Sequence, residues 1–107
     1  MSLAWGYLIL AGLFEVCWAV GLKYTEGFTK PLPTIFTIVT LALSMYLLAK
    51  AVQTIPIGTA YAIWVGIGAL GAVTLGVVLF QEPLSALRVL FVTLLLISII
   101  GLKMTSS

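Results

Sequence analysis

Polar positions along this chain are few, and they punctuate long apolar runs. Residues 1–14, 31–49, 51–81 and 89–102 carry no charge. With their apolar flanks, each supplies the roughly 20 mainly apolar residues that a helix needs to cross the hydrocarbon core. The prolines mark the joints between these runs. Pro31 and Pro33 follow Thr29-Lys30, Pro56 follows Gln53-Thr54-Ile55, and Pro83 follows Gln81-Glu82. Proline is accepted in a first helical turn and resisted in a helix interior, so all four sit where helices begin or break. The pattern predicts an all-α membrane protein, a single domain over 1–107 with four transmembrane helices at about 3–22, 32–51, 57–80 and 85–104. The N-terminal run lacks a basic leader and is interrupted by Glu15, so it is expected to be a retained first span and not a cleaved signal.

Composition sharpens this by exclusion. The chain is 63% hydrophobic before its 10 glycines are counted, against roughly 45–50% with glycine included in soluble domains. It has no His, Asp or Asn and a single Cys. Histidine-dependent nucleophile systems are therefore out, a zinc site is implausible, and no phosphate-binding G-x-x-x-x-G-K-[ST] loop exists to harness ATP. The basic residues Lys23, Lys30, Lys50, Arg88 and Lys103 are scattered, so no nucleic-acid patch forms. No enzyme, metal or cofactor is expected.

Four spans place the termini on one side with the middle connection. That side holds Lys50 and Lys103, and the other holds Lys23, Lys30 and Arg88. So small a bias leaves two readings open: one weakly determined topology, or insertion in both orientations with antiparallel pairing.

Glu15 is the informative residue. It lies twelve residues, or about 18 Å, into its span. A carboxyl group at that depth is costly and marks a functional site by default. Glu26 and Glu82 fall in connections and are expected to be solvated loop charges. Helical spacing puts Gly12, Ala11, Trp18 and Ala19 beside Glu15, and puts Tyr61 and Trp64 on one face of the third helix. Thr34, Thr37 and Ser44 share a stripe of the second helix. The two threonines are expected to bond back to their own helix, and only Ser44 lies at a depth comparable to Glu15. In the third helix, Gly58, Ala62 and Gly66, and again Gly68, Ala72 and Gly76, repeat at the four-residue spacing that brings helices close. Gly66 and Gly68 are also candidates for a mid-span hinge.

The strings Phe14-Glu15-Val16-Cys17-Trp18-Ala19, Leu22-Lys23-Tyr24 and Gly27-Phe28-Thr29 resemble the small multidrug resistance family. So does the run from Pro56 through Tyr61 and Trp64 to Gly68, and the likeness spans essentially the whole chain. Trp18 and the segment Glu82-Pro83-Leu84-Ser85-Ala86-Leu87-Arg88 resemble the guanidinium-exporter subgroup. The resemblance implies a dual-topology, antiparallel homodimer in a bacterial cell membrane that exchanges protons for a small guanidinyl cation. Glu15 of both protomers would bind protons or substrate. Trp18, Ser44, Tyr61 and Trp64 would complete the pocket, and Gly12 would line it.

Elementary physics is compatible with that expectation. Four thin spans enclose little interior, and a second copy about an in-plane two-fold axis supplies the inverted pair that transporters commonly encode as repeats. Two facing carboxyls titrate as a coupled pair: burial and repulsion oppose ionisation, while hydroxyl donors from Ser44 and Tyr61 favour it. A planar guanidinium matches carboxylates in bidentate fashion. The Trp18 indole has a donor and no acceptor, so its edge is suited to steadying a carboxylate and its face to stacking on the cation. The runner-up is an exporter of hydrophobic quaternary ammonium cations in the same family. A passive proton-carrying rotor subunit would need only a two-helix hairpin and no aromatic cluster. A purely structural subunit leaves Glu15 unexplained.

Overall fold

A computed structural model describes residues 3–105. Four helices follow in order: α1 (Leu3–Tyr24), α2 (Pro31–Ala51), α3 (Ile57–Phe80) and α4 (Ala86–Thr105). All four are long and apolar enough to cross a membrane. α1 runs two residues past the expected 22, because the chain leaves the helix only at Thr25. The buried Thr25 hydroxyl donates to the Leu22 carbonyl at 2.7 Å and accepts the Phe28 amide at 3.2 Å. Around it Glu26, Gly27 and Phe28 take positive φ (48°, 74° and 67°), which tightens the connection into α2. α2 opens with its proline pair in the first turn, and Pro56 caps α3. α3 ends where Gln81 turns left-handed (φ 55°) and the Glu82 amide returns to the Gly76 carbonyl at 3.2 Å, a reversal typical of helix C-termini. α4 begins one residue later than expected because Ser85 remains outside it, its hydroxyl accepting the Arg88 amide at 3.2 Å.

α1 packs along both α2 and α3, whereas the backbone of α4 approaches α3 alone. The chain forms a slab of 43 × 35 × 18 Å. Its core gathers toward the end that carries the 52–56 connection, where Leu8, Ala51, Ile55, Ala60, Ile63 and Trp64 are buried. α4 buries no residue, and side chains such as Leu87, Phe91 and Ile97 are more than half exposed. A surface this apolar is compatible with lipid or a second chain and not with water.

α1 and α3 run parallel, as the ordered contacts Glu15 with Gly68, Val16 with Gly71 and Tyr24 with Phe80 require. Small residues set their approach. A side chain at Gly12 would collide with Ile67, one at Gly71 with Val16, and one at Gly66 with Ile99 of α4. α3 is a continuous helix through Gly66 and Gly68, which serve here as close-contact positions.

Candidate functional site

Glu15 is 9% exposed on α1, and its carboxyl group lies against the backbone of Gly68 on α3. A Cβ at position 68 would overlap that carboxyl. The seat therefore exists only because residue 68 is glycine. Glu15 Oε2 is buried with no hydrogen-bond partner, a costly state that groups of functional rather than structural use tend to occupy.

Ser44 is fully buried one helical turn from Glu15. Its hydroxyl donates to the Ala11 carbonyl at 2.7 Å and accepts the Trp64 indole N–H at 2.8 Å. Three helices are joined by this one oxygen. Tyr61 leans on Trp64 with ring centroids 5.6 Å apart and planes at 52°, and it is 56% exposed. Trp18 is half-buried, and its indole nitrogen is buried without a partner. Gly12 faces Ile67 and lets α1 and α3 close at that level.

Several expectations need correction within the protomer. Ser44 spends its proton on a backbone carbonyl and does not donate to the Glu15 carboxyl. Trp18 does not donate to it either. Thr34 bonds back to the Lys30 carbonyl at 2.6 Å as expected, but Thr37 does not bond back. It is 2% exposed with an unpartnered hydroxyl pressed against Gly21 of α1, and Thr40 makes the back-bond to Phe36 instead. Glu82 is not simply a solvated loop charge. Its carboxylate folds onto Gly76 and pairs with Lys23 at 3.9 Å. Glu26 does remain at the surface, in an i,i+4 pair with Lys30 at 3.8 Å.

On the far side of Glu15 from Ser44 the bundle opens. An apolar groove of about 510 Å³ lies between α1, α2 and α3, lined by Val16, Val20, Tyr24, Leu32, Phe36 and Leu75 among others. A second cleft of about 260 Å³ runs between α1 and α3, from Ala19 and Ala72 out to Lys23, Phe80 and Glu82. Sequence reading overlooked this cleft, although Ala19 and Ala72 stand one turn beyond Glu15 and Gly68 and so mark its floor.

Comparison with known proteins places the chain among its relatives. Residues 3–95 match the family model described as Small Multidrug Resistance protein. The chain is 52% identical over 104 residues to a protein of Yersinia pseudotuberculosis named Guanidinium exporter, an alignment covering 97% of this chain and 100% of that one. It is 51% identical to the Guanidinium exporter of Salmonella typhimurium and 47% identical to that of Escherichia coli K12, each over 104 residues, 97% of this chain and 99% of the relative. These bacterial relatives are named as exporters and not as enzymes, and the four spans of this chain fit a multi-pass protein of a bacterial membrane. On the family-model match over residues 3–95 and these near-full-length identities, the chain belongs to the small multidrug resistance family.

Proposed function

We propose that the chain is a proton-coupled antiporter that exports guanidinium and small guanidinyl cations. It works as an antiparallel homodimer in which protons and cation compete for Glu15 of both protomers. The observation that carries this reading is the Glu15 carboxyl, buried at mid-span on a glycine seat with one oxygen unpartnered. The names of the relatives supply the cation. A guanidinium offers parallel N–H donors to such an acceptor, and the faces of Trp18, Tyr61 and Trp64 suit its planar π system. In one protomer Trp18 keeps a free donor, and Tyr61 stands open at the surface. Both are suited to complete a site with a second copy, for which the unburied α4 also leaves room.

Because one group serves both ligands, linkage fixes the sign of the pH dependence. Guanidinium affinity weakens as pH falls through the titration of the carboxyl pair and levels off above it, and binding releases protons. The test is uptake of radiolabelled guanidinium into proteoliposomes under an imposed proton gradient, together with binding titrations over a wide pH range. Wild type should exchange the two ions, and Glu15→Gln, which keeps the shape and cannot titrate, should lose coupled flux while remaining folded. Proton-driven flux at the wild-type rate in Glu15→Gln, or an affinity independent of pH, would overturn the shared-carboxyl mechanism.

A further inference from the structure

We propose that Glu82 and the ring of Phe80 form an outer recognition site for a planar guanidinium cation, held in this structure by the protein's own Lys23 ammonium. The identity of the cation rests on the export reading above; the site itself rests on the cleft. Lys23 Nζ lies 4.7 Å from the centre of the Phe80 ring and 3.9 Å from Glu82 Oε2. A cation is thus already bound between a carboxylate and an aromatic face.

Both walls are fixed by neighbours. The left-handed Gln81 and the Glu82 amide bond to Gly76 turn the chain back on α3. That places the Glu82 carboxylate on Gly76, where a Cβ would exclude it. Phe80 is braced by Tyr24, with ring centroids 5.3 Å apart. Beneath them lies the cleft of about 260 Å³, whose floor is Ala19 and Ala72. Each stands four residues, or about 6 Å, beyond Glu15 and Gly68. The mouth of the cleft and the buried carboxyl therefore share one seam between α1 and α3.

The chemistry favours a guanidinium over the resident ammonium. An ammonium is a compact point charge, and at 3.9 Å it makes only a loose pair with Glu82. A guanidinium donates two parallel N–H groups to a carboxylate while its face stacks on an aromatic ring. Lys23 is tethered, so it returns whenever the cargo leaves. The site is then occupied by Lys23 or by cargo in turn, and a partly exposed pair of this kind binds weakly enough to pass the ion on.

The test uses the full chain with Glu15→Gln, in lipid nanodiscs, so that the central carboxyl takes no part. Methyl NMR signals of Ala19 and Ala72 report the floor of the cleft while guanidinium chloride is titrated against matched sodium chloride. Guanidinium alone should shift them saturably, with half-saturation in the millimolar range and about threefold lower in Lys23→Gln. Adding Glu82→Gln should flatten the curve. Opposite effects of the two substitutions separate a binding site from a folding defect. Equal shifts in sodium chloride, a curve unchanged by Glu82→Gln, or weaker binding in Lys23→Gln would overturn the proposal. With Glu15 intact, Glu82→Gln should raise KM for guanidinium several-fold and leave kcat in place. If the Glu15→Gln chain still exchanges protons for guanidinium, the central-site reading fails while this site stands on its own shifts. If flux is lost and no shift is seen, the outer site alone is wrong.

Discussion

The two ends of this bundle are built on different principles. At the end with the 52–56 connection, Leu8 is fully buried, Ile63 and Ile55 nearly so, and Ser44 ties α2 to both α1 and α3. At the end with the 25–30 and 81–85 connections, the helices part around clefts of about 510 and 260 Å³. They still touch there, where Thr37 meets Gly21 and Val16 meets Gly71, but the side chains that bridge the helix ends are a pair of tilted rings and a loose ion pair at 3.9 Å. Glu15 stands at the boundary. On the antiport reading proposed above, its carboxyl group needs an oriented surrounding on one side and a route for ions on the other, and one thin chain supplies both by being asymmetric along its axis. In the antiparallel pair proposed above, the packed end of one copy would lie level with the open end of the other.

The largest expected effect strikes the boundary itself. Gly68→Ala puts a methyl group where the Glu15 carboxyl sits. It should cut guanidinium flux by about 100-fold, the scale of an ångström-sized misplacement. The same substitution at Gly58, which has no atom within 4 Å of the added carbon, should leave flux near wild type. Equal loss at both positions would mean that helix flexibility matters more than the seat. Next, the ends should differ in stability. Leu8→Ala opens a cavity among buried neighbours and should cost about 2–5 kcal/mol, whereas Leu75→Ala, on the wall of the open groove, should cost about 1 kcal/mol or less. Steric-trap or denaturant unfolding in micelles measures the gap, and similar costs would erase the distinction between the ends.

The smallest expected effects concern two buried hydroxyls. Ser44→Ala leaves the Trp64 N–H without an acceptor and should cost about 1–3 kcal/mol. Thr37→Val removes a hydroxyl that has no partner and should be neutral or stabilise by up to about 1 kcal/mol. A Thr37→Val cost as large as that of Ser44→Ala would show that the Thr37 hydroxyl makes an interaction in the membrane.

The contrast between these hydroxyls shows where sequence reading reaches its limit. Helix ends are written locally, by prolines and charges, and the observed bounds lie within two residues of the expected ones. Glu15 stands out because a charge inside an apolar run is visible without knowing its neighbours. The roles of Ser44 and Thr37 depend on what faces them across the helix gap. Ser44 donates to a backbone carbonyl, and every residue type supplies one, so nothing in the residue names marks Ala11 as the acceptor. Thr37 meets Gly21, and its hydroxyl does not turn back along α2. Gly68 was legible as a small residue and as a possible hinge, but its place beneath Glu15 is a matter of register between α1 and α3. The pairing of Glu82 with Lys23 likewise needs the chain reversal at Gln81, a left-handed residue that is not glycine.

That register works like a key cut on both edges. Ile67 of α3 fills the gap at Gly12 of α1, while Glu15 and Val16 of α1 fill the gaps at Gly68 and Gly71 of α3. Teeth pointing in both directions forbid either helix from sliding along the other, since any axial step drives a side chain into a backbone. The cheap movement left is sideways parting, which uncovers Glu15 and unseats Ile67 together. Inserting or deleting one residue between Gly12 and Val16 would turn the rest of α1 by about 100° and miscut the key. This five-residue stretch should therefore tolerate some exchanges of side chain and no change of length.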